Sequence, residues 1–282
     1  MQKSLLIIVL LCACMTMQAQ KKNNSSEKEN GRPKVALVLG GGGAKGAATV
    51  GALKYVEKSG VPIDMVVGTS IGSIVGGMYS LGYRHEQLDS LFRTQQWVNM
   101  FAGSLMGDSI VNVFRNNMGG EYSQVDFDDL PTPFRCVAVD INKMRQVVLK
   151  QGDLAQAMRA SMAIPVVFKP VKIDGMQLVD GGVLNNLPVD VARDMGADYV
   201  IAVDLTVNKH ENSSSLLSLL RPDLKKYNKN RKDADVYINP KLKGYGAQDF
   251  SSKKIAEMID LGEKAGKASL KEMKKLKKRL GN

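Results

Sequence analysis

The sequence predicts an α/β fold in which a mainly parallel sheet is sandwiched between layers of helices. Three observations support this prediction. Val35 to Leu39 is an unbroken apolar run, typical of a strand that is buried on both faces. Glycines follow at 40–43, and residues 47–57 then have the pattern of a helix. The same order of strand, glycine turn and helix returns at Met65 to Leu81.

The rest of the chain continues the alternation of strands and helices. Further strands are predicted at Phe134 to Asp140, Gln146 to Leu149 and Tyr199 to Leu205. Further helices are predicted at 86–93, 153–161 and 188–195. Strands that alternate with helices in this way are joined by crossovers, which is why the sheet is expected to be mainly parallel.

The first residues differ from the rest. Lys3 precedes the apolar run Leu5 to Leu11, and small and polar residues follow, as in a secretory signal peptide spanning residues 1–19. A lipoprotein signal built around Cys12 is the alternative. Residues 20–33 are polar and predict a flexible linker, so the folded domain is expected at 34–282, in an exported protein.

Two segments within that domain are unusual. Residues 208–233 are polar and predict a lid or an inert insertion. Residues 252–282 predict a basic helix with Leu270, Met273 and Leu276 on one side. Such a helix is expected either to lie on an anionic membrane or to dock its apolar side on the core.

Composition narrows the classes of partner. The 282 residues are 44% hydrophobic and carry a formal net charge of +11. A basic balance favours anionic surfaces, and no zinc-finger spacing or aromatic-interleaved basic strand indicates nucleic acid. A lipid or membrane surface is therefore the expected partner. Cys136 is the one cysteine beyond the signal, so it is expected to be a buried thiol without a disulfide partner.

Gly68-Thr69-Ser70-Ile71-Gly72 is a G-x-S-x-G pentapeptide between an apolar strand and a helix. A nucleophilic serine needs a tight turn that lifts its hydroxyl from the backbone, and the flanking glycines Gly68 and Gly72 leave room for that turn. The following helix directs its positive dipole end toward a developing oxyanion. This context makes Ser70 a candidate nucleophile, and the alternative is a glycine-rich turn between strand and helix that carries a solvated serine.

Residues Gly40 to Gly46 form a second glycine turn after a buried strand. The glycines Gly41, Gly43 and Gly46 match a dinucleotide fingerprint, which makes a nucleotide-binding protein one interpretation. An oxyanion loop that serves Ser70 is another. A Rossmann site also needs an acidic residue at the end of a second strand, whereas Asp64 precedes the strand Met65 to Val67. Lys45 is followed by glycine, so the loop is not a Walker A motif.

A serine nucleophile needs a base. The chain has only two histidines, His85 and His210, and both lie in polar segments where a solvated role is expected. Asp180-Gly181-Gly182 instead supplies a carboxylate on a glycine turn after the apolar pair Leu178-Val179. An aspartate followed by two glycines is also typical of an ordinary turn, so these residues alone make Asp180 one candidate for the base and leave the turn as the alternative.

Four blocks in this order resemble the patatin-like phospholipase family, in its exported bacterial form. They are the glycine loop with Lys45, the Gly68–Gly72 turn, Arg159 to Pro165, and Asp180-Gly181-Gly182 with Asn185-Asn186-Leu187-Pro188. The resemblance covers about Lys34 to Leu205 and, more loosely, Ala234 to Gly262.

The resemblance implies a three-layer α/β/α sandwich and a catalytic Ser–Asp dyad. Ser70 would be the nucleophile and Asp180 its base, while Gly41, Gly42 and Gly43 would supply oxyanion-hole amides. Lys45 would anchor the loop. The implied activity is hydrolysis of fatty acyl esters of phospholipids or related lipids, without a cofactor or metal. An exported lipid-binding module with a degenerate site is the remaining alternative.

Overall fold

A mixed sheet of eight strands lies at the centre of the computed structural model, which describes residues 31–94, 122–207 and 224–281. Two further short strands pair with each other. In chain order the strands are β1 Val35–Leu39, β2 Met65–Thr69, β3 Val125–Asp126, β4 Phe134–Asp140, β5 Arg145–Leu149, β6 Gln151–Gly152, β7 Val171–Ile173, β8 Met176–Asp180, β9 Tyr199–Val203 and β10 Val236–Ile238.

The neighbouring strands β10, β9, β1, β2 and β4 are all parallel, while β5 and β8 run antiparallel to β4. The helices of the described residues are α1 Gly46–Ser59, α2 Ile71–Ser80, α3 His85–Arg93, α4 Leu154–Ser161, α5 Val189–Asp194, α6 Leu224–Asp233 and α7 Ser252–Arg279. These bounds agree with the predicted elements to within about two residues at most ends.

Strand β1 contributes residues to two hydrophobic cores, one on each face of the sheet. All five of its residues are buried, because the sheet is covered on both faces. Val35, Leu37 and Leu39 pack into a large core with α1, α2, α4 and α7. Ala36 and Val38 point the other way and pack into a smaller core with α5. The predicted three-layer α/β/α fold with a mainly parallel sheet is confirmed.

Strands β2 and β8 meet end to end beside β4. Val137 of β4 pairs with Thr69 of β2 and, on its other side, with Val148 of β5. The next residue, Ala138, also pairs with β5. On the side where Val137 pairs with β2, Ala138 pairs with Asp180 of β8. Because β2 runs parallel to β4 and β8 runs antiparallel, their carboxyl ends point at each other. Ser70 and Asp180 lie at this junction.

The C-terminal helix α7 packs on α1. Met273 is fully buried and Leu276 is 3% exposed, within the larger core. A Cβ at Gly262 would lie 1.9 Å from the Ala48 carbonyl oxygen, so the two backbones are in direct contact. Of the two expectations for this helix, docking on the core is the one that the structure bears out.

Part of the segment 208–233 has regular structure, because Leu224–Asp233 is a helix. Its sequence lacks apolar periodicity because a polar residue makes the inward contact: buried Asn230 donates from Nδ2 to the Leu187 carbonyl at 2.9 Å and to Asp190 Oδ1 at 2.8 Å. Residues 208–223, His210, the predicted signal at 1–19 and most of the predicted linker at 20–33 lie outside the described residues.

Candidate active site

Ser70 occupies a strained turn between β2 and α2. Its φ of 55° and ψ of −127° place a non-glycine residue in a region that is costly for side chains. The turn persists because its neighbours hold it: the Ser70 carbonyl accepts hydrogen bonds from the Ser73 amide at 2.8 Å and the Ser73 hydroxyl at 2.6 Å. Ser70 thus stands at the amino end of α2, as a nucleophile elbow requires.

The flanking glycines are required by close contacts. A Cβ at Gly68 would lie 2.4 Å from the Gly72 carbonyl oxygen, and a Cβ at Gly72 would lie 2.1 Å from the Leu39 carbonyl oxygen. Both distances are far below van der Waals contact. The predicted crowding of this turn by a side chain is confirmed.

The predicted meeting of Ser70 and Asp180 is confirmed. Ser70 Oγ donates a hydrogen bond of 2.6 Å to Asp180 Oδ2 across 110 positions of sequence. The other carboxylate oxygen, Oδ1, accepts from the Gly182 amide at 2.7 Å. Ser70 is 6% exposed and Asp180 is 2% exposed. The carboxylate is therefore held in one orientation against the hydroxyl, away from bulk water.

Burial sets the basicity of Asp180. It raises the pKa of the carboxyl from its ordinary value of 3.8 to about 6, while the hydrogen bonds from Ser70 and Gly182 act in the opposite direction. A carboxylate with this pKa is a better proton acceptor than a solvated aspartate, yet it is still ionised at neutral pH.

Ser161 also holds the turn, and residue patterns alone gave it no role. Its hydroxyl accepts a hydrogen bond of 3.0 Å from the Ser70 amide and donates one of 2.6 Å to the Val137 carbonyl. Ser161 is fully buried at the end of α4. The Arg159 to Pro165 block was the signal in the sequence, but only the folded chain relates it to Ser70.

The glycine loop lies beside Ser70. A Cβ at Gly41 would lie 3.0 Å from Ser70 Cβ. Asn186 holds the loop through two hydrogen bonds to Gly41. The Asn186 carbonyl accepts from the Gly41 amide at 3.2 Å, and Asn186 Nδ2 donates to the Gly41 carbonyl at 3.3 Å.

This contact corrects the expectation for Gly41, whose amide is already engaged. Among the described residues, none accepts a hydrogen bond from the amides of Gly42 and Gly43. These two amides are the ones that remain for an oxyanion.

The sequence profile of the patatin-like phospholipase family matches residues 37–193, which is more than half of the chain. The chain belongs to this family. The match includes the glycine loop, the Ser70 turn and Asp180.

Named relatives extend the comparison. The chain is 38% identical over 191 residues to patatin-like phospholipase domain-containing protein 6 of Homo sapiens, a match that covers 61% of this chain and 13% of the human protein. It is 37% identical over 182 residues to lysophospholipase NTE1 of Mycosarcoma maydis, a match that covers 61% of this chain and 10% of that protein. The chain therefore spans only a small part of the length of these relatives.

A solved structure agrees in fold. VipD from Legionella pneumophila superposes with a TM-score of 0.51 at 14% identity, over 87% of this chain and 69% of that one. At this identity the likeness concerns the fold alone.

The position of Asp64 argues against the dinucleotide interpretation. Asp64 Oδ2 accepts a hydrogen bond of 2.7 Å from the Val35 amide, at the start of β1. The glycine loop follows the other end of the same strand. The acidic residue that a Rossmann site needs is thus at the opposite edge of the sheet.

His85 is not the solvated residue that its polar surroundings predict. It is 8% exposed, and its Nδ1 lies 3.1 Å from the Val50 carbonyl oxygen, because α3 begins at His85 and packs on α1. Cys136 is fully buried in β4, as expected, and burial raises the pKa of its thiol. Within the described residues, no three His, Cys, Asp or Glu side chains converge as metal ligands.

Proposed function

We propose that this protein is a serine lipid acyl hydrolase that cleaves fatty acyl esters of phospholipids or related lipids. The observation that carries the proposal is the 2.6 Å hydrogen bond from Ser70 Oγ to a buried carboxylate of raised pKa. Membership of the patatin-like phospholipase family supports the same activity.

The reaction proceeds by two acyl transfers. Ser70 Oγ attacks the ester carbonyl carbon while its proton passes to Asp180 Oδ2, and the alcohol leaves as it takes up that proton. A water molecule then attacks the acyl-serine, again with Asp180 as base, and the fatty acid is released. The amides of Gly42 and Gly43 stabilise the oxyanion of each tetrahedral intermediate, an effect of about a hundredfold or more for one donor.

A single-chain phospholipid is the first substrate to test. One relative in the family carries the name lysophospholipase, and it matches 61% of this chain. Release of fatty acid from lysophosphatidylcholine, compared with a diacyl phosphatidylcholine in mixed micelles, measures this preference.

The decisive variants are Ser70→Ala and Asp180→Asn. Each is expected to lower the hydrolysis of a medium-chain p-nitrophenyl ester by about four orders of magnitude, because the nucleophile and its base act as one unit. Ser80→Ala is the matched control: it makes the same change at the far end of α2, where the buried hydroxyl has no hydrogen-bond partner among the described residues. Full activity of either dyad variant would refute the mechanism.

A lipid-binding module with an inert site is the alternative, and reactivity separates it from an enzyme. A fluorophosphonate probe is expected to label the parent protein at Ser70, leaving Ser70→Ala unlabelled. An unreactive Ser70 in folded protein would favour the module.

The proposed setting is outside the cytoplasm, on the basis of the signal-like residues 1–19. Fractionation of the producing cell and N-terminal sequencing of the mature chain test this. A mature chain that retains Leu5 to Leu11 in the cytoplasmic fraction would contradict it.

A further inference from the structure

The proposed substrate is a lipid, and the apolar side of α7 is not free to meet it. The apolar side of α7 is packed on α1, which leaves its lysines to solvent. No helix among the described residues is long and apolar enough to cross a bilayer. An exposed apolar surface is therefore sought elsewhere among the described residues.

Exposed apolar side chains point to the place. Among the described residues, five large apolar side chains are exposed: Met144 at 61%, Val148 at 36%, Val166 at 88%, Val167 at 39% and Leu224 at 50%. Three of them follow segments of the chain that contact the Ser–Asp pair, and they are called the apolar rim: Met144, Val166 and Val167.

Val166 and Val167 follow directly on residues that hold the dyad. The Ser161 hydroxyl accepts from the Ser70 amide, and the Ala163 carbonyl accepts from the Asp180 amide at 2.9 Å. Val166, the most exposed valine among the described residues, is thus three residues after Ala163.

Met144 lies at the same edge. Strand β4 continues two residues past Ala138, the partner of Asp180, to Asp140. The turn that carries Met144 comes next, before β5 begins at Arg145. This turn therefore projects beyond the level of Ser70 and Asp180.

The loop that displays the valines is braced. The amides of Val167 and Phe168 both donate to the Ile164 carbonyl, at 3.2 and 2.9 Å. Phe168 is buried, and the Arg159 guanidinium lies 4.9 Å from the centre of its ring. The apolar side chains are consequently held outward by packed neighbours.

The backbone of Val166 is in an unfavourable conformation. Its φ of 70° lies in the left-handed region, where a β-branched side chain is a rare outlier. Strained residues that are retained by the surrounding structure concentrate at functional sites. Here an apolar and strained side chain is kept at a position that is almost fully exposed.

The charges around the apolar rim are mainly positive. Lys169 and Lys172 are exposed and follow the valines, and Lys143 is exposed beside Met144. Arg145, on the other side of Met144, is also exposed and lies 3.7 Å from Asp140 Oδ2. Asp174 is the exposed acidic residue in the turn between β7 and β8. Cations that surround an apolar tip match a surface of anionic head groups above hydrocarbon.

We propose that the apolar rim inserts into the surface of an anionic lipid bilayer and brings the acyl ester to Ser70. The proposal rests on the acyl hydrolase function proposed above and names the form in which the enzyme meets its substrate.

A fluorescent side chain placed at the rim tests insertion at that position. Trp97, the single tryptophan of the chain, is first replaced by Phe, and Ser70→Ala prevents turnover. In this background, the indole introduced by Val166→Trp is expected to shift its emission to the blue on vesicles of phosphatidylglycerol and phosphatidylcholine. Brominated acyl chains in the same vesicles are expected to quench it.

The matched control is Val148→Trp, on edge strand β5 opposite Val137, one residue before the β4 partner of Asp180 and away from the turn that carries Met144. Its emission is expected to remain unquenched. If the Val166→Trp protein binds but its indole is as poorly quenched as that of this control, the proposal is overturned. Failure to bind these vesicles at all would overturn it as well.

Val166→Asn separates the apolar role from backbone geometry. Asparagine tolerates the left-handed conformation and carries no charge, so this variant is expected to unfold at a higher temperature than the parent. Its partition into the same vesicles is expected to be about tenfold weaker, as when one valine side chain stays in water. Equal partitioning of the two proteins would overturn the proposal.

These measurements are independent of the hydrolase assay, because they score binding in a chain that lacks the nucleophile. Insertion of the indole at position 166 without ester hydrolysis by the parent would remove the proposed activity and leave the membrane contact. Ester hydrolysis by the parent without insertion of the indole would remove the proposed membrane contact and leave the proposed activity.

Discussion

Asp180→Asn is expected to abolish activity and to stabilise the fold above neutral pH. The ionised carboxylate is buried, and the rise of its pKa from 3.8 to about 6 measures how strongly the folded state disfavours the charge. At about 1.4 kcal/mol for a change of one in pKa, the destabilisation amounts to about 3 kcal/mol at high pH.

The direction of this effect on stability follows from the protonation of Asp180 in the folded and the unfolded states. Below the unfolded pKa the carboxyl is protonated in both states, so the folded state carries no cost. As the pH rises, the unfolded chain ionises first, and stability falls until the folded carboxyl has also ionised above about pH 6. The neutral amide of asparagine does not titrate. It also fits the site, because its oxygen can accept from the Gly182 amide while its nitrogen donates to Ser70 Oγ.

Urea unfolding followed by circular dichroism at pH 4 and pH 8 measures the effect. The free energy of unfolding of Asp180→Asn, minus that of the parent, is expected to be about 2–3 kcal/mol larger at pH 8 than at pH 4.

Asp190→Asn is the matched control, and the opposite change in the free energy of unfolding is expected for it. Burial raises the pKa of Asp190, but the hydrogen bonds from Lys226 and Asn185 outweigh it and lower the pKa overall. This variant should therefore be less stable than the parent at pH 8. A difference for Asp180→Asn that is the same at both pH values would refute the reasoning about burial.

Three further outcomes are expected. Ester hydrolysis should fall about tenfold for each pH unit below about pH 6, because protonated Asp180 cannot accept the Ser70 proton; a flat profile down to pH 4 would argue against this base. Ser161→Ala should lower kcat about tenfold with little change in KM, since the buried Ser70 amide loses its acceptor, and Ser161→Thr should restore it; a change confined to KM would contradict a positioning role. Gly262→Ala should lower the free energy of unfolding by about 3 kcal/mol, because its Cβ would lie 1.9 Å from the Ala48 carbonyl oxygen. Gly246→Ala, with no neighbouring atom closer than 3.6 Å, serves as its control in thermal unfolding.

Local patterns predicted the elements whose own residues specify them. The run Val35–Leu39 is apolar at every position because both faces of a central strand are buried, so it needs no partner to be recognised. The elbow at Ser70 was equally visible, since a tight turn after a strand demands glycine on both sides. Asn230 shows the limit: α6 is held by polar contacts with Asp190 and the Leu187 carbonyl, which no periodicity reveals.

The sequence by itself determined the layered α/β fold, the glycine turns and the identity of the candidate nucleophile and base, because these depend on residues that are close together in the chain or on the order of short motifs. The tertiary structure alone decided which groups are available for chemistry. Strands β2 and β8 bring Ser70 and Asp180 together from 110 positions apart, and Asn186 takes up the amide of Gly41. Burial, which raises the pKa of Asp180, exists only once the layers have packed, because exclusion of water is a property of the assembled core.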